Sequence, residues 1–127
     1  MVYSGGCHCG AVRYTVEASG QLRADECNCS ICYKLGYLHL IVPQSKFCLV
    51  KGERALTEYT FNTHVAKHRF CKHCGIKAFY VPRSHPDKIS VNVRTFDELP
   101  QQLVVEPFDG KHWEQNVAAL RAKDVHR

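Results

Sequence analysis

Cys71-Lys72-His73-Cys74-Gly75 sets two thiols three residues apart and closes on a glycine. Thiolates at that spacing converge on one metal ion about 2.3 Å away, and the glycine permits the positive φ that turns backbone N–H groups toward the sulfurs. Reading outward, Cys7-His8-Cys9 is a second close pair. On an extended strand its two sulfurs share a face while His8 points away. The third cluster is Cys27-Asn28-Cys29-Ser30-Ile31-Cys32, three thiols that can wrap one ion from a single loop.

Seven of the eight cysteines fall in these clusters. A disulfide framework spreads its cysteines, because bridging distant segments restricts the unfolded chain most. Clustering therefore favours metal binding, with disulfides or redox use of a Cys-x-x-Cys pair as the alternatives. Seven ligands cannot close two tetrahedral sites. Joining the two pairs gives one closed four-thiolate site, Cys7, Cys9, Cys71 and Cys74. Cys27, Cys29 and Cys32 then hold a second zinc whose fourth position stays open, the usual mark of a catalytic site.

Other residues could close that position. Cys48, in Lys46-Phe47-Cys48-Leu49-Val50, is read as a small buried hydrophobe in a strand, with a fourth ligand as the alternative. His39, in Leu38-His39-Leu40-Ile41-Val42, is read as a polar-face or core histidine, with contact to the metal or its ligand as the alternative. His64 and His68 lack a zincin-type glutamate between them and are read as surface groups or as supports behind the ligands.

The 127 residues suit one domain, residues 1–127, and 45% hydrophobic with 23% charged residues is ordinary globular composition. No apolar run approaches the ~20 residues that span a bilayer. The start, Met-Val-Tyr-Ser-Gly-Gly-Cys, lacks the order of a signal peptide, which predicts a cytoplasmic protein. The formal charge is +5. Seven thiolates less the four positive charges of two zinc ions leave three negative charges, so the metallated chain carries about +2. Its lysines and arginines are scattered, which argues against nucleic acid as a partner.

Short β signals at residues 11–17, 37–42, 47–50, 56–61, 77–81 and 89–93, punctuated by Gly, Pro and Asp, predict a mainly β chain of short antiparallel strands. One helix closes it. Trp113, Val117 and Leu120 form an apolar stripe after the Asp109-Gly110 cap, with Trp113 read as a core anchor rather than a ligand-stacking residue. Residues 121–127 are expected to be a frayed tail.

The ordered motifs Gly5-Gly6-Cys7-His8-Cys9-Gly10-Ala11-Val12-Arg13-Tyr14, Cys27-Asn28-Cys29-Ser30-Ile31-Cys32 and Phe70-Cys71-Lys72-His73-Cys74-Gly75 resemble the glutathione-dependent formaldehyde-activating enzyme family. The likeness is closer to its centromere protein V branch in His39-Leu40-Ile41-Val42-Pro43, Tyr59-Thr60-Phe61-Asn62-Thr63-His64 and Phe79-Tyr80-Val81-Pro82-Arg83-Ser84. The resemblance implies a zinc-bearing β-tent fold, shared with methionine sulfoxide reductase B. It also implies a structural zinc on Cys7, Cys9, Cys71 and Cys74, and a catalytic zinc on Cys27, Cys29 and Cys32.

The implied reaction is condensation of glutathione with formaldehyde to S-(hydroxymethyl)glutathione, formally a carbon–sulfur lyase run backwards. Three thiolates leave a zinc at net −1, a weak Lewis acid that can still take or activate a further thiol. Lys34, Arg83 and Arg94 are candidates for glutathione's carboxylates, with solvated surface charge as the alternative. Two other functions stay open: a non-catalytic zinc-stabilised module for a protein or chromatin partner, and a metal-buffering or redox-sensing domain.

Overall fold

The computed structural model describes residues 1–123, and the chain in it is mainly β. Strands β1 (Val2–Gly6), β2 (Arg13–Glu17) and β5 (Phe47–Lys51) make an antiparallel sheet in the order β1-β2-β5. Strands β6 (Leu56–Tyr59) and β7 (His68–Cys71) pair as a hairpin that carries the chain into the Cys71 cluster. The largest sheet has five strands in the order β10-β3-β4-β9-β8, formed by β3 (Leu22–Cys27), β4 (Leu38–Pro43), β8 (Phe79–Tyr80), β9 (Lys88–Asn92) and β10 (Leu103–Phe108). All ladders are antiparallel except β10 on β3, which is parallel. The strands β1, β3, β7 and β10 add to those expected from the sequence pattern.

The period of two along these strands divides the large sheet into two chemically different faces. Leu22, Ala24, Leu38, Leu40, Val42, Phe79, Ile89 and Val91 point into the main core, where they meet Val12, Tyr14 and Val16. The intervening Asp25, Cys27, His39, Ile41 and Tyr80 line a cavity instead. β4 is buried on both faces from Leu38 to Val42, so its side chains are sorted by chemistry between a dry core and a functional wall.

Two α-helices complete the described residues. α1 (Ser30–Leu35) starts within the Cys27–Cys32 cluster and ends on Gly36 at φ 64°. α2 (Trp113–Lys123) follows a single 3₁₀ turn at Gly110–His112 and buries Val117 and Leu120, as the apolar stripe predicts. The tail is less frayed than expected: Arg121 continues α2 and its Nε donates to the Ser84 carbonyl at 2.8 Å. Residues 124–127 of that expectation lie outside the described residues. No described helix is long and apolar enough to cross a membrane.

Candidate metal centres and cavity

Cys7 and Cys9 come from the turn that follows β1, rather than from a strand, and His8 between them is exposed as expected. Cys71 ends β7, and Cys74 lies in the turn after it. Gly75 closes that turn at φ 79°, a conformation open to glycine, and its N–H reaches the Cys71 carbonyl at 2.8 Å. The four sulfurs all lie within 4.8 Å of one another, with Cys7–Cys9 at 3.6 Å and Cys9–Cys71 at 3.7 Å. Four sulfurs 2.3 Å from a common centre stand about 3.8 Å apart, so the spacing of this donor set suits a tetrahedral ion.

The second group is built from three kinds of backbone. Cys27 ends β3, Cys29 caps α1 in an extended conformation, and Cys32 is buried in the helix's first turn. The spacing of two and three residues thus bends a strand end and a helix start around one point, where the three sulfurs again lie within 4.8 Å. Hydrogen bonds from Cys27 and then Cys32 hold the Cys29 thiol down to about 2, while Cys29 pushes Cys27 up to about 11. Cys32 is raised as well, first by its bond to Cys27 and then by Cys29. Only one of three crowded sulfurs carries charge unaided. A divalent cation removes that conflict, so the donor chemistry of this group also fits a metal.

The surroundings of this group hold a residue that the strand pattern leaves ambiguous. His39, 5% exposed, brings Nε2 to 3.2 Å from Cys32 Sγ, while Ser90 Oγ lies 2.9 Å and Tyr80 Oη 3.3 Å from Nδ1. If Cys32 were a metal-bound thiolate, which only accepts, Nε2 would carry the proton and Nδ1 would accept from the two hydroxyls. The expected core histidine is therefore a contact of a candidate ligand. Gly110 presses on the group from the other side. A Cβ there lands 2.3 Å from Cys27 Sγ and 2.9 Å from Cys29 Cβ. Asn28 draws this segment in, donating from Nδ2 to Asp109 Oδ1 at 3.1 Å and accepting the Lys111 N–H at 3.1 Å.

The three thiols open onto a cavity of about 400 Å³. Its walls include Asp25, His39, His68, Tyr80, Arg83 and Trp113. The Arg83 guanidinium lies 3.8 Å above the Trp113 ring, and Arg83 makes no hydrogen bond to the described residues. Stacked in this way, its edge N–H groups remain available to a carboxylate.

A sequence profile for glutathione-dependent formaldehyde-activating enzymes matches residues 2–114. The chain belongs to that family. The fold is also similar to the crystal structure of a Rhodobacter sphaeroides protein at 35% identity and a TM-score of 0.71, covering 81% of this chain and 99% of that one. In this formaldehyde-activating family member, the two cysteine groups could each hold a metal ion.

Several residues stand elsewhere than the sequence pattern puts them. Cys48 is exposed and belongs to neither sulfur group: Phe47 and Leu49 turn toward the core, and the strand period sends Cys48 outward. Of the three basic candidates, Arg83 alone lines the cavity, while Lys34 and Arg94 are exposed away from it. Trp113 is half-buried at the cavity wall with its ring under Arg83, and is not a core anchor. His64 is exposed, whereas His68 is buried in the wall. Asp25, Ser90 and Lys111 belong to no motif singled out in the sequence, and Tyr80 and Gly110 stand in motifs that gave them no role at the site. The available signal was the polar residue recurring at every second place in an apolar strand.

Proposed function

We propose that this chain, acting as one domain over residues 1–127, is a two-zinc carbon–sulfur lyase for glutathione thioadducts. Condensation of glutathione with formaldehyde to S-(hydroxymethyl)glutathione is its type reaction. The observation that carries this reading is that the three-thiol group opens onto a cavity which also presents Arg83 and Lys111. In this reading Cys7, Cys9, Cys71 and Cys74 hold a closed structural zinc, and Cys27, Cys29 and Cys32 hold the catalytic one. A zinc on three thiolates supplies a fourth position at which a thiol becomes acidic.

The chain's own residues do the rest. His39 orients Cys32 through the bond to its sulfur. Arg83, flattened on Trp113, offers a two-pronged partner to a carboxylate of the tripeptide. Ile41, Pro82 and Phe108 bound the remaining wall and limit water beside the reacting atoms. None of the eight cysteines is in a disulfide, which suits a reducing cytoplasm. Within the family, the motifs at residues 39–43, 59–64 and 79–84 support the centromere protein V branch.

The test combines elemental analysis with glutathione titration. Two zinc ions per chain are expected, one of them lost in Cys32→Ser while the fold persists. Glutathione should quench Trp113 fluorescence, and Arg83→Ala should raise the Kd about 10- to 100-fold, the effect of losing a hydrogen bond to a charged group. Two zincs indifferent to glutathione would instead support the non-catalytic interaction module.

A further inference from the structure

Lys77 is a buried cation, 4% exposed, and no carboxylate faces it among the described residues. Its Nζ lies 2.6 Å from His68 Nδ1, 3.6 Å above the centre of the Tyr80 ring and 5.0 Å from that of Tyr37. His68 is itself 4% exposed and stacked between Phe61 at 5.4 Å and Tyr80 at 4.8 Å. It is also part of the cavity wall. The sandwich fixes the plane of the imidazole, and the lysine fixes its rotation.

The hydrogen-bond inventory then sets the tautomer. An ammonium only donates, so Nδ1 must accept and the ring proton sits on Nε2. That Nε2 makes no hydrogen bond to the described residues, leaving a neutral imidazole N–H to serve the cavity. The electrostatics agree: burial first, then the Lys77 charge, pull His68 down to about 4, so the ring is neutral at pH 7. Burial brings Lys77 down to about 8, within reach of proton exchange near neutrality.

We infer that His68 is the proton-transfer group for the substrate oxygen, and that Lys77 is the positioning residue which fixes its tautomer and re-protonates it. The inference rests on the thioadduct reading above. In the forming direction the glutathione sulfur adds to the carbonyl carbon, making the C–S bond as the π pair moves onto oxygen. That oxygen takes the proton from His68 Nε2, and Nδ1 takes one from Lys77, leaving a neutral amine. Lys77 recovers its proton from solvent, matching the one released when the glutathione thiol ionised. Nothing is oxidised or reduced. Breakdown of the adduct runs the same relay backwards.

The experiment uses the zinc-loaded chain and ¹³C-formaldehyde with glutathione, following exchange into the hydroxymethyl adduct by NMR. Two variants are compared, Lys77→Met and the double His68→Phe/Lys77→Met, which keeps the aromatic stack and leaves no buried polar atom without a partner. Both should hold two zincs and bind glutathione within about twofold of wild type. Both should lose about 100-fold or more in kcat with KM unchanged, the range of general acid–base catalysis. The wild-type rate should fall as pH rises through about 8, and Lys77→Met should lack that limb. The titratable side chains facing the pair are Tyr37, Tyr59 and Tyr80, and the Cys29 and Cys32 thiols act on it through their charge.

A readout independent of turnover is the ¹⁵N spectrum of His68. It should show the neutral Nε2-protonated ring from pH 5 to pH 8 in wild type, and a mixture of tautomers in Lys77→Met. A double variant with wild-type kcat, or a wild-type ring protonated on Nδ1, overturns the relay alone. A wild-type chain that neither binds glutathione nor accelerates exchange overturns the thioadduct reading, and the relay with it.

Discussion

His39 Nε2 stands 3.2 Å from the Sγ of Cys32, and the opposite nitrogen of the ring is held by Ser90 and Tyr80. One side chain thus links a candidate metal ligand to two strands of the large sheet, β9 and β8. A hydrogen bond to a thiolate draws charge from the sulfur and fixes its direction, so ligand and support act as one unit.

His39→Phe should therefore loosen one metal and spare the other. Residues that hold a ligand typically contribute 10- to 100-fold in metal affinity. Zinc release to a chromophoric chelator should show two phases, with only the phase lost in Cys32→Ser accelerated by the substitution.

Gly110→Ala should act on the same metal from the opposite side. The new Cβ meets the Cys27 sulfur and the Cys29 Cβ, neither of which can move without spoiling the three-thiol geometry. Overpacking on this scale costs about 1–3 kcal/mol. The expected result is a chain that retains one zinc, keeps its far-ultraviolet circular dichroism, and loses glutathione-dependent quenching of Trp113.

Lys77 gives a pH-dependent prediction about stability. Its pKa falls from the ordinary 10.5 to about 8, mainly through burial, so the unfolded chain binds more protons between those values. Wild-type stability should accordingly gain on the order of 2–3 kcal/mol from this group as pH rises from about 8 to 10.5. Lys77→Met should lack the gain, and the difference between the two urea-unfolding curves should track that window.

Cys48→Ser should change little. The side chain is exposed on β5 and belongs to neither sulfur group, so stability should stay within about 0.5 kcal/mol and zinc content should be unaltered. Loss of a zinc in this variant would restore Cys48 as a ligand.

The strands whose signal is local were legible. Residues 47–50 and 56–61 correspond to β5 and β6 because alternation or β-branched content is written into each run. β3 and β10 escaped notice for a different reason. Leu22-Arg23-Ala24-Asp25-Glu26-Cys27 carries three charges in six residues, and it is a strand because its neighbours pair with it on both edges. Asp25 is 2% exposed in such a strand, which no propensity scale anticipates. Likewise α1 is only six residues long, too short to announce itself by periodicity.

The sequence alone showed the three cysteine clusters, because thiols two or three residues apart can converge on one point; the fold decided that Cys7 and Cys9 meet Cys71 and Cys74. The sequence also determined the mainly β character and the closing helix, since both are written in short-range periodicity. Tertiary structure decided what surrounds the thiols. His39 meets Cys32, Lys77 meets His68, Arg83 stacks on Trp113 and Gly110 abuts Cys27 only once separate strands and loops are brought together. Such contacts depend on register and on which face of a sheet a side chain occupies, and a shift of one residue in any strand would exchange the cavity wall for the core.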